Sequence, residues 1–130
     1  VSAALIAQAR AAQSHAHAPY SRFPVGAALE ADDARVFVGC NVESASYGVT
    51  ICAERMALGA GVAAGARRFR RLVVVTDVDP PAAPCGACRQ LLAEFGMDLE
   101  VIAVGARPGG ERRWSLGGLL PDAFTGDALA

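Results

Sequence analysis

Cys52-Ala53-Glu54 is followed, 32 residues after Cys52, by Pro84-Cys85-Gly86-Ala87-Cys88, so that three thiols and a carboxylate stand at spacings that suit a metal ion with a proton carrier beside it. A structural zinc site closes four protein ligands around the ion, whereas a catalytic one holds three and leaves a position open. The fourth thiol, Cys40, lies in Val36-Phe37-Val38-Gly39-Cys40-Asn41-Val42, a run that reads as a strand. No second Cys-x-x-Cys joins Cys40 to Cys52, so Cys40 is expected to be a small buried hydrophobe and not a ligand. Two alternatives stay open: a structural zinc module that recruits Cys40, and a thiol–disulfide enzyme built on Cys85 and Cys88. The second leaves Cys52 and Glu54 without a task.

Three thiolates around a divalent zinc carry a net charge of −1, which weakens the ion's power to acidify water. Arg55, next to Glu54, is a candidate to offset that charge by donating hydrogen bonds to sulfur. Helix N-termini at the cysteines would add partial positive charge and favour the thiolate form. Glu54 is the candidate proton shuttle, with one geometric obstacle. Two steps along an ideal helix turn a side chain by about 200°, so Cys52 and Glu54 share a pocket only if Cys52 sits at the irregular start of its helix.

The elements that position these residues follow from the pattern of the chain. Residues 2–15 are alanine-rich without Gly or Pro and read as a helix. Residues 25–31 and 35–42, separated by Asp32-Asp33, read as a hairpin, and 44–49 as a loop. Residues 50–64 favour helix, 72–76 a buried strand, 88–95 a second short helix after Pro80, Pro81 and Pro84, and 99–104 another strand, with a short helical or irregular tail at 116–124. This order argues for a three-layer α/β sandwich with a mixed sheet. Strand 35–42 feeding the helix at 52, and strand 72–76 feeding the helix at 85, would bring both helix N-termini to one sheet edge.

Composition narrows the function. The 130 residues, 53% hydrophobic and 19% charged, are the amount expected for one domain, 1–130. All 12 basic residues are arginine, which excludes Schiff-base lysine chemistry and a P-loop lysine. With 13 acidic residues against them, only Arg67, Arg68, Arg70 and Arg71 cluster, and they read as a solvated helix-to-strand connection, so no nucleic-acid partner is expected. No apolar run approaches the ~20 residues of a membrane span and no signal peptide is evident, so a cytoplasmic location is expected. The high apolar fraction makes subunit contacts plausible.

His-x-Glu followed by Pro-Cys-x-x-Cys, with cysteine able to replace the histidine, marks zinc nucleobase deaminases. The chain resembles small homotetrameric cytidine deaminases over nearly its whole length. The likeness is carried also by Tyr20-Ser21-Arg22-Phe23-Pro24-Val25-Gly26-Ala27-Ala28, Gly39-Cys40-Asn41-Val42-Glu43, Arg89-Gln90, and Leu119-Leu120-Pro121 followed by Phe124. The resemblance implies an α/β/α sandwich with a mixed five-stranded sheet and one zinc per subunit on Cys52, Cys85 and Cys88, with Glu54 as catalytic proton shuttle and Arg55 compensating charge. It further implies that Phe23 stacks on the pyrimidine, that Asn41 and Glu43 hold the ribose hydroxyls, that the Ala53 N–H binds the base carbonyl, and that Tyr47 and Phe124 close pockets of neighbouring subunits. The implied reaction is hydrolytic deamination of cytidine and 2′-deoxycytidine, as in pyrimidine salvage, with a cytosine-nucleoside antibiotic of the blasticidin S type as the alternative substrate.

Overall fold

The structure, a computed structural model, describes residues 2–129. Its helices are α1 (Ser2–Gln13), α2 (Ala53–Ala63), α3 (Gly86–Ala93) and α4 (Leu116–Leu119), and its strands are β1 (Gly26–Ala31), β2 (Val36–Cys40), β3 (Phe69–Val75), β4 (Glu100–Val104) and β5 (Arg112–Ser115). The strands form one mixed sheet in the order β2-β1-β3-β4-β5, in which β3 and β4 are parallel and the other pairs antiparallel.

Strand alternation sorts the apolar residues onto two faces. Ala27, Leu29, Leu72, Val74 and Val101 pack with Ala57, Leu58 and Leu92 of α2 and α3, while Ala28, Val73, Val75 and Ile102 pack with Leu5 and Ala9 of α1. Helix α1 therefore covers one side of the sheet and α2 and α3 the other, giving the three-layer sandwich expected from the order of elements. Both β2 and β3 run antiparallel to β1, so they point the same way, and the helices that follow them begin at the same sheet edge.

Two glycines allow the helices to approach. A Cβ on Gly39 would strike the carbonyl oxygen of Ala53 and lie 2.8 Å from the Ala57 nitrogen, so the backbone of α2 rests directly on β2. Gly26 does the same for α1, where a Cβ would strike the Ala9 carbonyl. Helix α1 is also tied to the strand ends: Arg10 donates to the carbonyls of Thr76, at 3.0 Å, and Gly105, at 2.5 Å, and Gln13 Nε2 donates to the Pro24 carbonyl at 3.1 Å.

Three expectations are corrected. β5, with the sequence Arg112-Arg113-Trp114-Ser115, does not appear in the hydrophobic pattern because it is a polar edge strand. Arg70 and Arg71 belong to β3, three residues of which precede Leu72, and are not part of a connection. They tolerate the strand because Arg71 pairs with Glu100 at 3.1 Å and lies 3.6 Å from Glu30, while Arg70 donates to the Asp32 carbonyl at 2.5 Å. Cys40 is only half-buried, because β2 is the other edge of the sheet.

Candidate metal centre and nucleoside cleft

Cys52 and Cys85 each occupy the N-cap of a helix, α2 and α3 respectively, in extended backbone conformation (φ −76°, ψ 151° and φ −69°, ψ 166°). Neither makes a side-chain capping bond, so each sulfur is left to point elsewhere. Cys88 lies in the first turn of α3 and is fully buried. The three sulfurs lie within 4.8 Å of one another, with Cys85 and Cys88 3.6 Å apart. The extended conformation of Cys52 removes the 200° obstacle, since the residue is not yet helical when its side chain departs. Cys40 is outside the group, and among the described residues no other cluster of His, Cys, Asp and Glu has this geometry.

The electrostatics match a cation site. Cys52 is pulled down to about 5, first by a hydrogen bond from Cys88 and further by the Arg55 guanidinium, against the opposing effect of burial. Cys88 is pushed up by the same bond to Cys52, by burial and by the charge of Glu54. Without a metal, then, Cys52 and Cys88 do not ionise together, and a divalent cation would release the proton that Cys88 retains. Arg55 Nη2 donates to the Thr50 carbonyl at 2.8 Å and approaches Cys52 Sγ at 3.8 Å, so its guanidinium is aimed at one thiol of the three. A converging set of three sulfurs at two helix N-termini is the soft donor set that zinc takes, and it fits the ion.

Ala53 and Glu54 follow Cys52 into the first turn of α2, where both are buried, Glu54 to 5% exposure. Burial pushes the Glu54 carboxyl up to about 7, with the negative charge of Cys52 adding to the rise and its own backbone N–H opposing it. Such an acid exchanges protons readily near neutral pH.

A cleft of about 330 Å³ opens beside these groups and is lined by Phe23, Asn41, Glu43, Cys52, Ala53, Glu54 and Cys85 among others. That volume suits a small polar-apolar ligand. Seven of the residues singled out in the sequence thus line one cleft. Tyr47 and Phe124 are elsewhere: Tyr47 is 72% exposed in an adjoining hollow with Tyr20 and Glu43, and Phe124 is 61% exposed, its carbonyl accepting from Gln90 Nε2 at 2.8 Å.

Asn41 is anchored in a way its residue type does not announce. Its Oδ1 accepts from the Val25 N–H at 2.9 Å and its Nδ2 donates to the Phe23 carbonyl at 2.8 Å, so it clamps the loop that carries Phe23. Val25, Thr50, Val74, Thr76, Ala82 and Ala83 also line the cleft. None of them bears a chemical signal in sequence, because their contribution is shape. Arg67, Arg70 and Arg71 turn their guanidiniums to carbonyls and carboxylates of this chain.

Comparison with known proteins agrees with this geometry. Residues 2–104 match the family model for the cytidine and deoxycytidylate deaminase zinc-binding region. A cytidine deaminase of Sporosarcina psychrophila is 43% identical over 126 residues, covering 97% of this chain and 93% of that protein. The crystal structure of cytidine deaminase from Burkholderia pseudomallei superposes with a TM-score of 0.90 at 52% identity, covering 95% of this chain and 99% of that one. Blasticidin-S deaminase of Bacillus cereus is more distant, 31% identical over 86 residues, or 60% of this chain and 61% of that protein. Three converging thiols, a buried carboxyl beside them and sequence kinship across the whole zinc-binding region lead to one assignment: the chain belongs to the cytidine and deoxycytidylate deaminase family.

Proposed function

We propose that this chain is a zinc-dependent hydrolase that converts cytidine and 2′-deoxycytidine to uridine and 2′-deoxyuridine and releases ammonia. The observation that carries the reading is the joining of the thiol cluster and buried Glu54 to a cleft that also presents Phe23, Asn41 and Glu43.

Cys52, Cys85 and Cys88 hold the metal. When bound, zinc acidifies water and so supplies the nucleophile near neutral pH. Glu54 accepts the proton that the water gives up and delivers it to ring N3; once the oxygen is bonded to C4, Glu54 takes that hydroxyl's proton to the amine, and the C4–N bond breaks as the carbonyl forms. A carboxyl held up to about 7 suits both tasks, since it is neither too weak a base nor too weak an acid at neutral pH. The Ala53 N–H, at the positive end of α2, hydrogen-bonds the base carbonyl. Phe23 offers an aromatic face to the flat ring, and Asn41 and Glu43 recognise the sugar hydroxyls. Arg55 donates toward Cys52 and draws off part of the thiolate charge.

The same reading takes residues 1–130 as one catalytic unit that works in the cytoplasm, where thiols stay reduced. No helix of the described residues is long and apolar enough to cross a membrane. It also takes the protein as a homotetramer. Exposure of the large aromatics Tyr47 and Phe124, at 72% and 61%, supports subunit contacts that would carry them to neighbouring clefts.

A cytidine absorbance assay on zinc-loaded protein, with ammonia measured in parallel, tests the function. Stoichiometric conversion supports it; deamination of blasticidin S but not of cytidine would transfer the protein to the antibiotic reading, and inertness toward both would overturn it. Cys85→Ala should lose zinc, and stoichiometric zinc in that variant would refute the ligand set. Sedimentation velocity separates tetramer from monomer.

A further inference from the structure

Residues 19–25 cross the cleft mouth without helix or strand, yet they carry Phe23. What holds this loop is a set of hydrogen bonds that meet at Ser21. Its hydroxyl donates to Glu43 Oε2 and accepts the Phe23 N–H at 3.0 Å, while the Ser21 and Tyr20 N–H groups donate to Glu43 Oε1 at 3.1 and 3.0 Å. A hydroxyl has one donor, so with that donor on a carboxylate only its lone pairs remain for Phe23, and its rotor has one orientation that serves both partners. The bond to Glu43 is charge-assisted, the stronger kind. Between Ser21 and Phe23 the chain passes through Arg22 at φ 55°, a left-handed conformation that a non-glycine residue keeps only when its surroundings enforce it. Phe23 is then gripped at both ends of its backbone, its N–H by Ser21 and its carbonyl by Asn41 Nδ2.

We propose that Ser21 is a positioning residue for the nucleoside: its hydroxyl joins the carboxylate at the sugar end of the cleft to the aromatic at the base end, so that sugar recognition and base stacking are set together. This rests on the roles given above to Glu43 and Phe23. Losing the Glu43 carboxylate would free the Ser21 hydroxyl, and losing Ser21 would free both the carboxylate and the strained turn before Phe23.

The test is steady-state kinetics with cytidine on zinc-loaded Ser21→Ala, Ser21→Val, Ser21→Thr, Glu43→Ala and the Ser21→Ala/Glu43→Ala double variant. Thr and Val have the same shape and differ by the hydroxyl. Ser21→Ala and Ser21→Val should raise KM about five- to tenfold with kcat within about twofold, and Ser21→Thr should stay within about threefold of the parent KM. The double variant should raise KM by less than the product of the two single effects. A Ser21→Val KM equal to that of Ser21→Thr, or single effects that multiply, would overturn the role of Ser21 while a raised KM in Glu43→Ala leaves the sugar-site reading standing. An unchanged KM in Glu43→Ala would overturn both.

Discussion

The two helix starts that build the thiol cluster are made alike and supported differently. Each begins at a cysteine in extended conformation with no capping side chain. At α2 the next two residues are buried and Gly39 of β2 lies against the helix backbone, so Cys52, Ala53 and Glu54 are fixed by backbone-to-backbone contact. At α3, Cys85, Gly86 and Ala87 are exposed, and a Cβ on Gly86 would meet nothing within 4 Å. The buried Glu54 carboxyl and the guanidinium-supported thiol are on the rigid start; the other two thiols are on the one whose first residues are exposed. At α2 burial begins directly after the cysteine, whereas at α3 it begins only at Cys88, which is itself fully buried.

Breaking the rigid start at its chemical centre should give the largest effect. Glu54→Gln should retain zinc and lose about 10²–10⁴-fold in kcat on cytidine; a loss under about tenfold would remove Glu54 from proton transfer. The same variant also probes what that burial costs. The Glu54 carboxyl stands at about 7 in the fold against an ordinary 4.5, so the folded state keeps a proton that the unfolded chain releases between those values. Stability from this group therefore falls as pH rises from about 4.5 to 7. Metal-free Glu54→Gln should unfold in urea with about 3 kcal/mol more stability than the parent at pH 8 and no such gain at pH 4. Equal gains at both values would mean that charge burial is not the cause.

Gly39→Ala attacks the contact beneath α2 while leaving every chemical group of the cleft in the sequence. It should cost about 1–3 kcal/mol of stability by denaturant melting, and a neutral result would show that α2 does not rest on β2. Arg55→Ala should weaken zinc about 10–100-fold in competition with a chelator, with all three cysteines still in place to hold it. At the small end, Gly86→Ala should change stability by less than about 0.5 kcal/mol with zinc content intact. A large loss there would erase the contrast between the two starts.

Much of this was readable because chemistry and periodicity coincide in the chain. Both thiol-bearing helices, the β1–β2 hairpin and the core of β3 and β4 follow from apolar runs and breakers, and the residues that bear chemical groups stand out by type. What escaped reading depends on partners distant in sequence. β5 is polar because it lies at an edge, and β3 starts at Phe69 only because Glu30 and Glu100 are there to receive Arg71. The four-residue α4, Leu116-Gly117-Gly118-Leu119, has two residues of low helix propensity and forms with Ser115 Oγ accepting the Gly118 N–H at its start. Asn41 shows best what residue type withholds: an amide that suits a sugar diol has both its acceptor and one donor engaged in the loop beside it.

Arg10 has a bearing on how the protein can be handled. Its bonds reach the carbonyls of Thr76 and Gly105, just past the ends of β3 and β4, and Thr76 belongs to the cleft wall. Helix α1 lies on the face of the sheet away from the thiols, and by position it resembles a segment that could be trimmed, replaced by a tag or exchanged between relatives. The guanidinium makes it a tie-bar between two parallel strands at the cleft end of the sheet. A shortened chain lacking α1 would expose two strand-end carbonyls and the apolar side of the sheet together, so engineering of the cleft has to carry the N-terminal helix along.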